Sequence, residues 1–222
     1  MNVGSNEEAE TLRHLFGVRW PLVVRYVEWL STAGLERGLI GPAEVDRLWE
    51  RHIANCAALA PLIPVDQRVI DVGSGAGLPG IVLALARPDL EVLLIEAMSR
   101  RTAFLREVVA DLGLRDVTVE NSRAENVACT APVVTARAVA PLPRLVKNVA
   151  HLLEPGGVLL ALKGARVWQE VHAAEHLLAK LGYQPGVEVL TVRAVAGQLT
   201  VQRDADASND RRWATVVRVI KQ

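Results

Sequence analysis

The sequence has little of what several protein classes require. It carries only two cysteines in 222 residues, Cys56 and Cys129, and no Cys/His spacing of a zinc site. A disulfide framework and a structural metal are therefore both unnecessary, and two free thiols in a reducing compartment are expected. No apolar run approaches the ~20 residues of a membrane-spanning helix. The polar, acidic start, MNVGSNEEAE, is unlike a signal peptide. Together these features predict a cytoplasmic protein. Net charge is also missing: 25 basic residues balance 25 acidic ones. That excludes a chain held to polyanions by bulk charge, while leaving room for a local basic face. Internal repeats, low-complexity tracts and a Gly-Lys-Ser/Thr phosphate loop are absent as well.

What remains is enough apolar material, half of all residues, to fill a core. Residues 1–64 read as a helical extension. Glu7–Phe16 is a short periodic run, Trp20–Thr32 a second with Pro21 in its first turn, and Pro42 opens a longer helix to about Leu59. From residue 65 to 222 strands and helices alternate. The strands are Arg68–Val72, Val92–Ile95, Val117–Glu120, Val133–Ala136 and Val158–Leu162. The helices are Pro79–Ala86, Ser99–Leu112, Leu142–Leu153 and Val167–Leu181. This alternation predicts a Rossmann-like, doubly wound, mostly parallel α/β sheet of seven strands. Val187–Val192 and Trp213–Ile220 have no helix between them and should pair as an antiparallel hairpin at one edge, with the polar stretch Arg203–Arg212 between.

The first strand runs into Asp71-Val72-Gly73-Ser74-Gly75-Ala76-Gly77-Leu78-Pro79-Gly80. Glycines let a backbone turn tightly and let a ligand lie against bare peptide. Glu96 follows at the end of the next strand, where a carboxylate can accept both ribose hydroxyls of an adenosine. Strand, loop, helix and acid together point to an adenosine-type cofactor, bound by Asp71, Gly73, Ser74, Gly75, Gly77, Leu78 and Glu96. S-adenosylmethionine (SAM) is favoured over a dinucleotide. Asp71 suits a methionine amino group and would repel a pyrophosphate. The chain after the sheet leaves no room for a second substrate domain, and Leu153–Leu159 resembles the turn before the fifth strand of SAM enzymes. After the third strand, Asn121–Glu125 lies where an adenine would rest, although Ser122 and Glu125 also read as a capping box.

Arg100, Arg101, Arg123, Arg144, Lys147, Lys163 and Arg166 all follow strand ends and would form a basic rim for RNA, with Arg211-Arg212 adding to it. The same charges also read as solvated helix faces. His52 reads either as a packed core histidine or as a lid over the pocket. Trp20, Trp29 and Trp168 read as core, Trp213 as packing at an edge strand, and both thiols as structural. From the residues alone the reading stops at a SAM-dependent methyltransferase whose substrate class is open, nucleic acid being one option. A SAM enzyme for another substrate and a non-catalytic SAM-binding ribosome assembly factor remain alternatives.

Residues 49–163 resemble the RsmG (GidB) family of bacterial small-subunit ribosomal RNA methyltransferases. The resemblance is carried by Trp49–Ile53, the Asp71–Gly80 loop, Glu96 with Arg100-Arg101 and Phe104-Leu105, Arg123–Glu125, Thr135–Ala140 and Lys163-Gly164. It implies SAM-dependent methylation of guanine N7 in the decoding-region loop of 16S rRNA, within the 30S subunit or its assembly intermediates. The sequence itself leaves the oligomeric state open, a monomer being the expectation, and no metal is expected. The resemblance also implies SAM contacts at Gly73 and Leu78, Glu96 near the ribose, and Ala124-Glu125 flanking the adenine. Arg137 would face the methionine end or the target, as the catalytic candidate. The chain departs from the family in having Arg100-Arg101 where lysines are common, and Asn55-Cys56 where an aspartate-serine pair is common.

Overall fold

The computed structural model describes residues 6–203 and 213–222. The expected Arg211-Arg212 contribution and most of the Arg203–Arg212 stretch lie outside them. Among the described residues one sheet runs in the order β3-β2-β1-β4-β5-β8-β6-β7. The strands are β1 Arg68–Val72, β2 Glu91–Ile95, β3 Val117–Glu120, β4 Ala131–Arg137, β5 Leu153–Lys163, β6 Glu188–Val195, β7 Gln198–Arg203 and β8 Ala214–Ile220. The first five pair in parallel, and β8 is antiparallel to both β5 and β6.

Alternation along each strand feeds two cores. Val69 and Leu160 face one side, with Ile81, Phe104 and the N-terminal residues Tyr26 and Ile53. Ile70 and Leu159 face the other, with Leu145 and Val171. Strands buried on both faces read as continuous apolar runs, which is why β1, β4 and β5 are legible in the sequence, while the half-polar β3, Val-Thr-Val-Glu, is recognised by its β-branched residues. The helices are α1 Asn6–Phe16, α2 Trp20–Trp29, α3 Asn55–Ala57, α4 Gly80–Ala86, α5 Ser99–Asp111, α6 Leu142–Val149 and α7 Val167–Lys180. In α6 the buried residues are Leu142, Leu145, Val146 and Val149. That i, i+3, i+4, i+7 spacing turns Arg144 and Lys147 outward. No helix of the described residues is long and apolar enough to cross a membrane.

Three expectations need correction. The sheet has an eighth strand, β7, joined to β6 by a two-residue turn whose residues, Ala196 and Gly197, both have positive φ (50° and 77°). Such turns usually announce themselves as Asn-Gly or Asp-Gly, and alanine hid this one. Second, β8 is an interior strand, so Trp213 does not begin an edge. Its run Ala-Thr-Val-Val-Arg-Val-Ile is nearly all buried, whereas polar β7 suits the solvent-facing edge. Third, the helix expected from Pro42 to Leu59 is a 3-10 segment, Pro42–Arg47, then a π-type turn, Leu48–Ala54, then α3. Five of the seven residues in the π-type turn are buried, more than a regular helical stripe admits.

Candidate active site at the carboxyl edge

Parallel register gathers the site. Val72 pairs with Ile95 on one side and with Ala136 on the other, and Ile95 pairs with Glu120. The next residues along these strands, Gly73, Glu96, Asn121 and Arg137, therefore emerge at one edge. Ligands of open α/β sheets bind at such an edge.

The glycine loop is held by its own backbone. Gly73 N and Ser74 N both donate to Ile95 O, at 2.8 and 3.1 Å, and Gly77 N and Leu78 N donate to Ser74 O. Gly73, Gly75 and Gly77 have φ of 67°, 58° and 99°. A Cβ on Gly77 would lie 2.4 Å from Ile81 Cδ1, and one on Gly73 would lie 2.7 Å from Val139 Cγ2. Glu96 is buried and ties the loop to the neighbouring helix: Gly75 N donates to its Oε2 (3.0 Å) and Met98 N to its Oε1 (2.8 Å). Asn121 staples β3 to the same corner, its Nδ2 donating to Glu96 O and Ala97 O. The extension buttresses the loop from behind, where Tyr26 Oη donates to Ala76 O at 2.9 Å.

Asp71 sits behind this loop. It is fully buried, accepting from Gly80 N (3.1 Å) and Thr135 Oγ1 (3.2 Å), while Ser74 Oγ donates to its backbone oxygen. Its oxygens fix the start of α4 against β4. Burial pushes its carboxyl up to about 6, against the opposing pull of these hydrogen bonds. The folded chain therefore binds this proton more tightly than the unfolded one. The contribution to stability is most favourable near pH 4 and declines as pH rises through 6, by roughly 2–3 kcal/mol. Asp71→Asn should remove that decline. In denaturant titrations, wild type should gain on the variant by this amount between pH 7 and pH 4; superimposable pH profiles would contradict the assignment.

Arg137 reaches toward the N-terminal extension. Its Nη2 donates to His52 Nδ1 (2.6 Å) and its Nη1 to Cys56 Sγ (3.2 Å). A guanidinium only donates, so Nδ1 is the accepting nitrogen and the His52 proton sits on Nε2, which bonds Glu44 Oε2 at 3.1 Å. Burial, and then the Arg137 charge, lower the His52 pKa to about 4, outweighing Glu44. His52 is thus a buried neutral link between Glu44 and Arg137, which is the packed reading of this residue. Burial raises the Cys56 thiol above its ordinary value, in keeping with a structural role.

A cavity of about 500 Å³ opens beside this row at the ends of β4 and β5, lined by Asn55, Arg137, Val139, Lys163, Arg166 and Glu170 among others. Val139 stands between it and Gly73. Lys163 is not a rim cation. Its side chain is 8% exposed, and Nζ donates to Ala140 O and Glu170 Oε2, both at 2.8 Å. Glu170 Oε2 also accepts from Leu142 N, so the pair clamps the loop after β4. Burial pushes Glu170 up, but the Lys163 and Leu142 bonds win and hold it below its usual value. Arg101 is likewise engaged, 3.7 Å from Glu96 Oε2, whereas Arg100, Arg123, Arg144, Lys147 and Arg166 are exposed.

Residues 121–126 do not form a capping box. Ser122 Oγ donates to Arg123 O, and the short turn Ala124–Asn126 has no side-chain cap. Ala124 is buried and its oxygen bonds His151 Nε2, while Glu125 is exposed. Trp20 stacks on Trp49 and Trp29 packs edge-on to Phe104, but Trp168 is 44% exposed and is not core. Tyr26, Glu44 and Glu170 carry no local motif that marks them: Tyr26 meets Ala76 fifty residues on, while Glu44 and Glu170 read as ordinary solvated acids until His52 and Lys163 are seen beside them. Among the described residues, no group of His, Cys, Asp and Glu is placed to hold a metal ion.

The profile of the GidB family, described as rRNA small subunit methyltransferase G, matches residues 20–198. The chain belongs to this family. A relative from Streptomyces coelicolor, "Ribosomal RNA small subunit methyltransferase G", is 56% identical over 78% of this chain and 74% of its own length. One from Paenarthrobacter aurescens with the same name is 47% identical over 96% of this chain and 93% of its own. Among solved structures, M. jannaschii TYW2 in complex with AdoMet matches with a TM-score of 0.56 at 18% identity, covering 77% of this chain and 75% of that one. Such low identity speaks for the fold alone, that of class I SAM-dependent methyltransferases.

Proposed function

We propose that this family member transfers a methyl group from S-adenosylmethionine to N7 of a guanine in the decoding-region loop of 16S rRNA, acting on the 30S subunit or its assembly intermediates. The observation that carries the reading is the single row of bare glycine loop, Glu96 and Arg137, with a cavity of about 500 Å³ beside it, large enough to admit a nucleotide. The residues fit the cofactor. A Cβ on Gly73 would collide with Val139 at the cavity and one on Gly77 with Ile81 and Tyr26 behind the loop, so neither position admits a side chain and the loop keeps its bare-peptide turn. Glu96 keeps acceptor capacity beyond its two backbone bonds, since a carboxylate has about four lone-pair sites. Gly73–Leu78 would then hold the amino-acid and sugar portions, Glu96 the ribose, and Ala124-Glu125 the adenine. Asp71 contributes by fixing the loop from within. When bound, the cofactor supplies an electrophilic methyl group.

Guanine N7 has an in-plane lone pair and no proton, so the protein needs no general base. Its task is to align the base and exclude water, which contributes several kcal/mol in well-oriented reactions. Arg137 retains N–H groups beyond those given to His52 and Cys56, and these suit guanine O6. The exposed Arg100, Arg123, Arg144, Lys147 and Arg166 suit RNA phosphates. With about five such contacts, log affinity should fall against log salt with a slope of roughly −3 to −5; a flat titration with small subunits would argue against this face.

The function itself is tested by incubating the protein with methyl-labelled cofactor and small subunits lacking the modification. Label is expected in 7-methylguanosine after nucleoside digestion. Label in another nucleoside, or in protein, would overturn the reading.

A further inference from the structure

The cavity beside Gly73 is lined by three cations, Arg137, Lys163 and Arg166, and by one carboxylate, Glu170. A pocket built only to hold phosphate would not include that carboxylate. Glu170 is also held rigidly: its Oε2 takes the bonds from both Lys163 Nζ and Leu142 N. Its Oε1 accepts from no group among the described residues, and the side chain retains 22% exposure. One oxygen is therefore anchored and the other remains available on the cavity wall.

We propose that Glu170 reads the Watson–Crick edge of the target guanine and is the base-specificity residue of this site, an inference that rests on the guanine reading above. Guanine presents two adjacent donors on that edge, N1–H and the 2-amino group. Oε1 has two lone pairs to receive them. Adenine presents an unprotonated N1 there, and its lone pair would face the carboxylate. A base taken out of its stack is commonly recognised along this edge. Arg137, which lines the same cavity, takes O6; O6 sits on the carbon between N1 and the N7 side of the ring, so both contacts leave N7 free. Lys163 acts through Glu170 as a positioning residue.

The test compares small subunits carrying guanosine or inosine at the target position. Inosine lacks only the 2-amino group. Wild type should methylate inosine with a kcat/KM roughly 10- to 100-fold lower than guanosine. Glu170→Gln keeps an acceptor for Lys163 and Leu142 but places an amide at the reading edge. It should fall on guanosine to near the inosine level and lose most of the discrimination, while staying folded with a lowered thermal midpoint, since the nearly buried Lys163 loses its charged partner. Equal rates of wild type on the two substrates, or a Glu170→Gln variant with the wild-type guanosine-to-inosine ratio, would overturn the proposal; the first comparison needs no variant to fold. A wild-type product other than 7-methylguanosine would overturn both this inference and the reading beneath it. 7-Methylguanosine with an unchanged ratio would overturn this inference alone.

Discussion

Arg137→Ala is expected to slow methylation of small subunits roughly 100-fold or more, while affinity for S-adenosylhomocysteine changes only a few-fold. The magnitude follows from orientation: a misplacement of about 1 Å at the reacting centre costs on the order of 100-fold. Arg137 is positioned for this from two directions. Its backbone ends β4 in register with Leu162, and its guanidinium is fixed by His52 and Cys56. The substitution also leaves His52 Nδ1 buried without a donor, at about 1–3 kcal/mol of stability. Thermal midpoints must therefore be measured alongside rates. Arg137→Lys is expected to recover little, because an ammonium lacks the planar fork that spans His52, Cys56 and a base oxygen. Turnover by folded Arg137→Ala at the wild-type rate would remove Arg137 from the mechanism.

Gly77→Ala is expected to destabilise the chain by roughly 2–5 kcal/mol and to abolish measurable cofactor binding. Two costs combine. At φ of 99° an L side chain is strained by about 1–2 kcal/mol. The new methyl would meet Ile81 Cδ1 at 2.4 Å and Tyr26 Oη at 3.0 Å, in a buried place where overpacking costs about 1–3 kcal/mol. Relief requires the loop to move, and the loop carries Gly75, whose N–H holds Glu96. Gly113→Ala is the control: φ is 64°, but nothing lies within 4 Å of the added atom. It should show the backbone strain alone and bind cofactor normally. Denaturant midpoints and calorimetry on both variants separate the two costs. A Gly77→Ala protein as stable as Gly113→Ala would show that the packing around the loop is looser than described.

Much of this was legible from the chain. Most of the parallel strands are apolar runs, and the glycine loop with Glu96 is a local signal whose geometry follows from its spacing. What escaped was either weakly encoded or non-local. β7 is polar and enters through Ala-Gly. The interior place of β8 depends on competition between two tail strands for the edge of β5, which no local pattern states. Lys163 ends an apolar strand and so looked free, but its partners Glu170 and Ala140 lie 7 and 23 residues away in the chain. In the sequence Asp71 reads as meeting a methionine amino group. Its burial, though, turns the carboxylate toward Gly80 and Thr135, away from the ligand side.

The pH behaviour has the same origin. Asp71 favours the folded state on acidification, from about pH 6 down to 4. His52 resists protonation while folded, and so costs stability as pH falls from 6.5 toward 4. These opposed contributions lie in the same window.

The account stands on one pocket, the glycine loop closed by Glu96, and calorimetric titration addresses it directly. Wild type should release or absorb clear heat with S-adenosylmethionine and S-adenosylhomocysteine, Glu96→Ala should bind both at least 10-fold more weakly, and a nicotinamide dinucleotide should give no signal. No heat with either methyl-cycle ligand, together with tight binding of the dinucleotide, would contradict the account at its base.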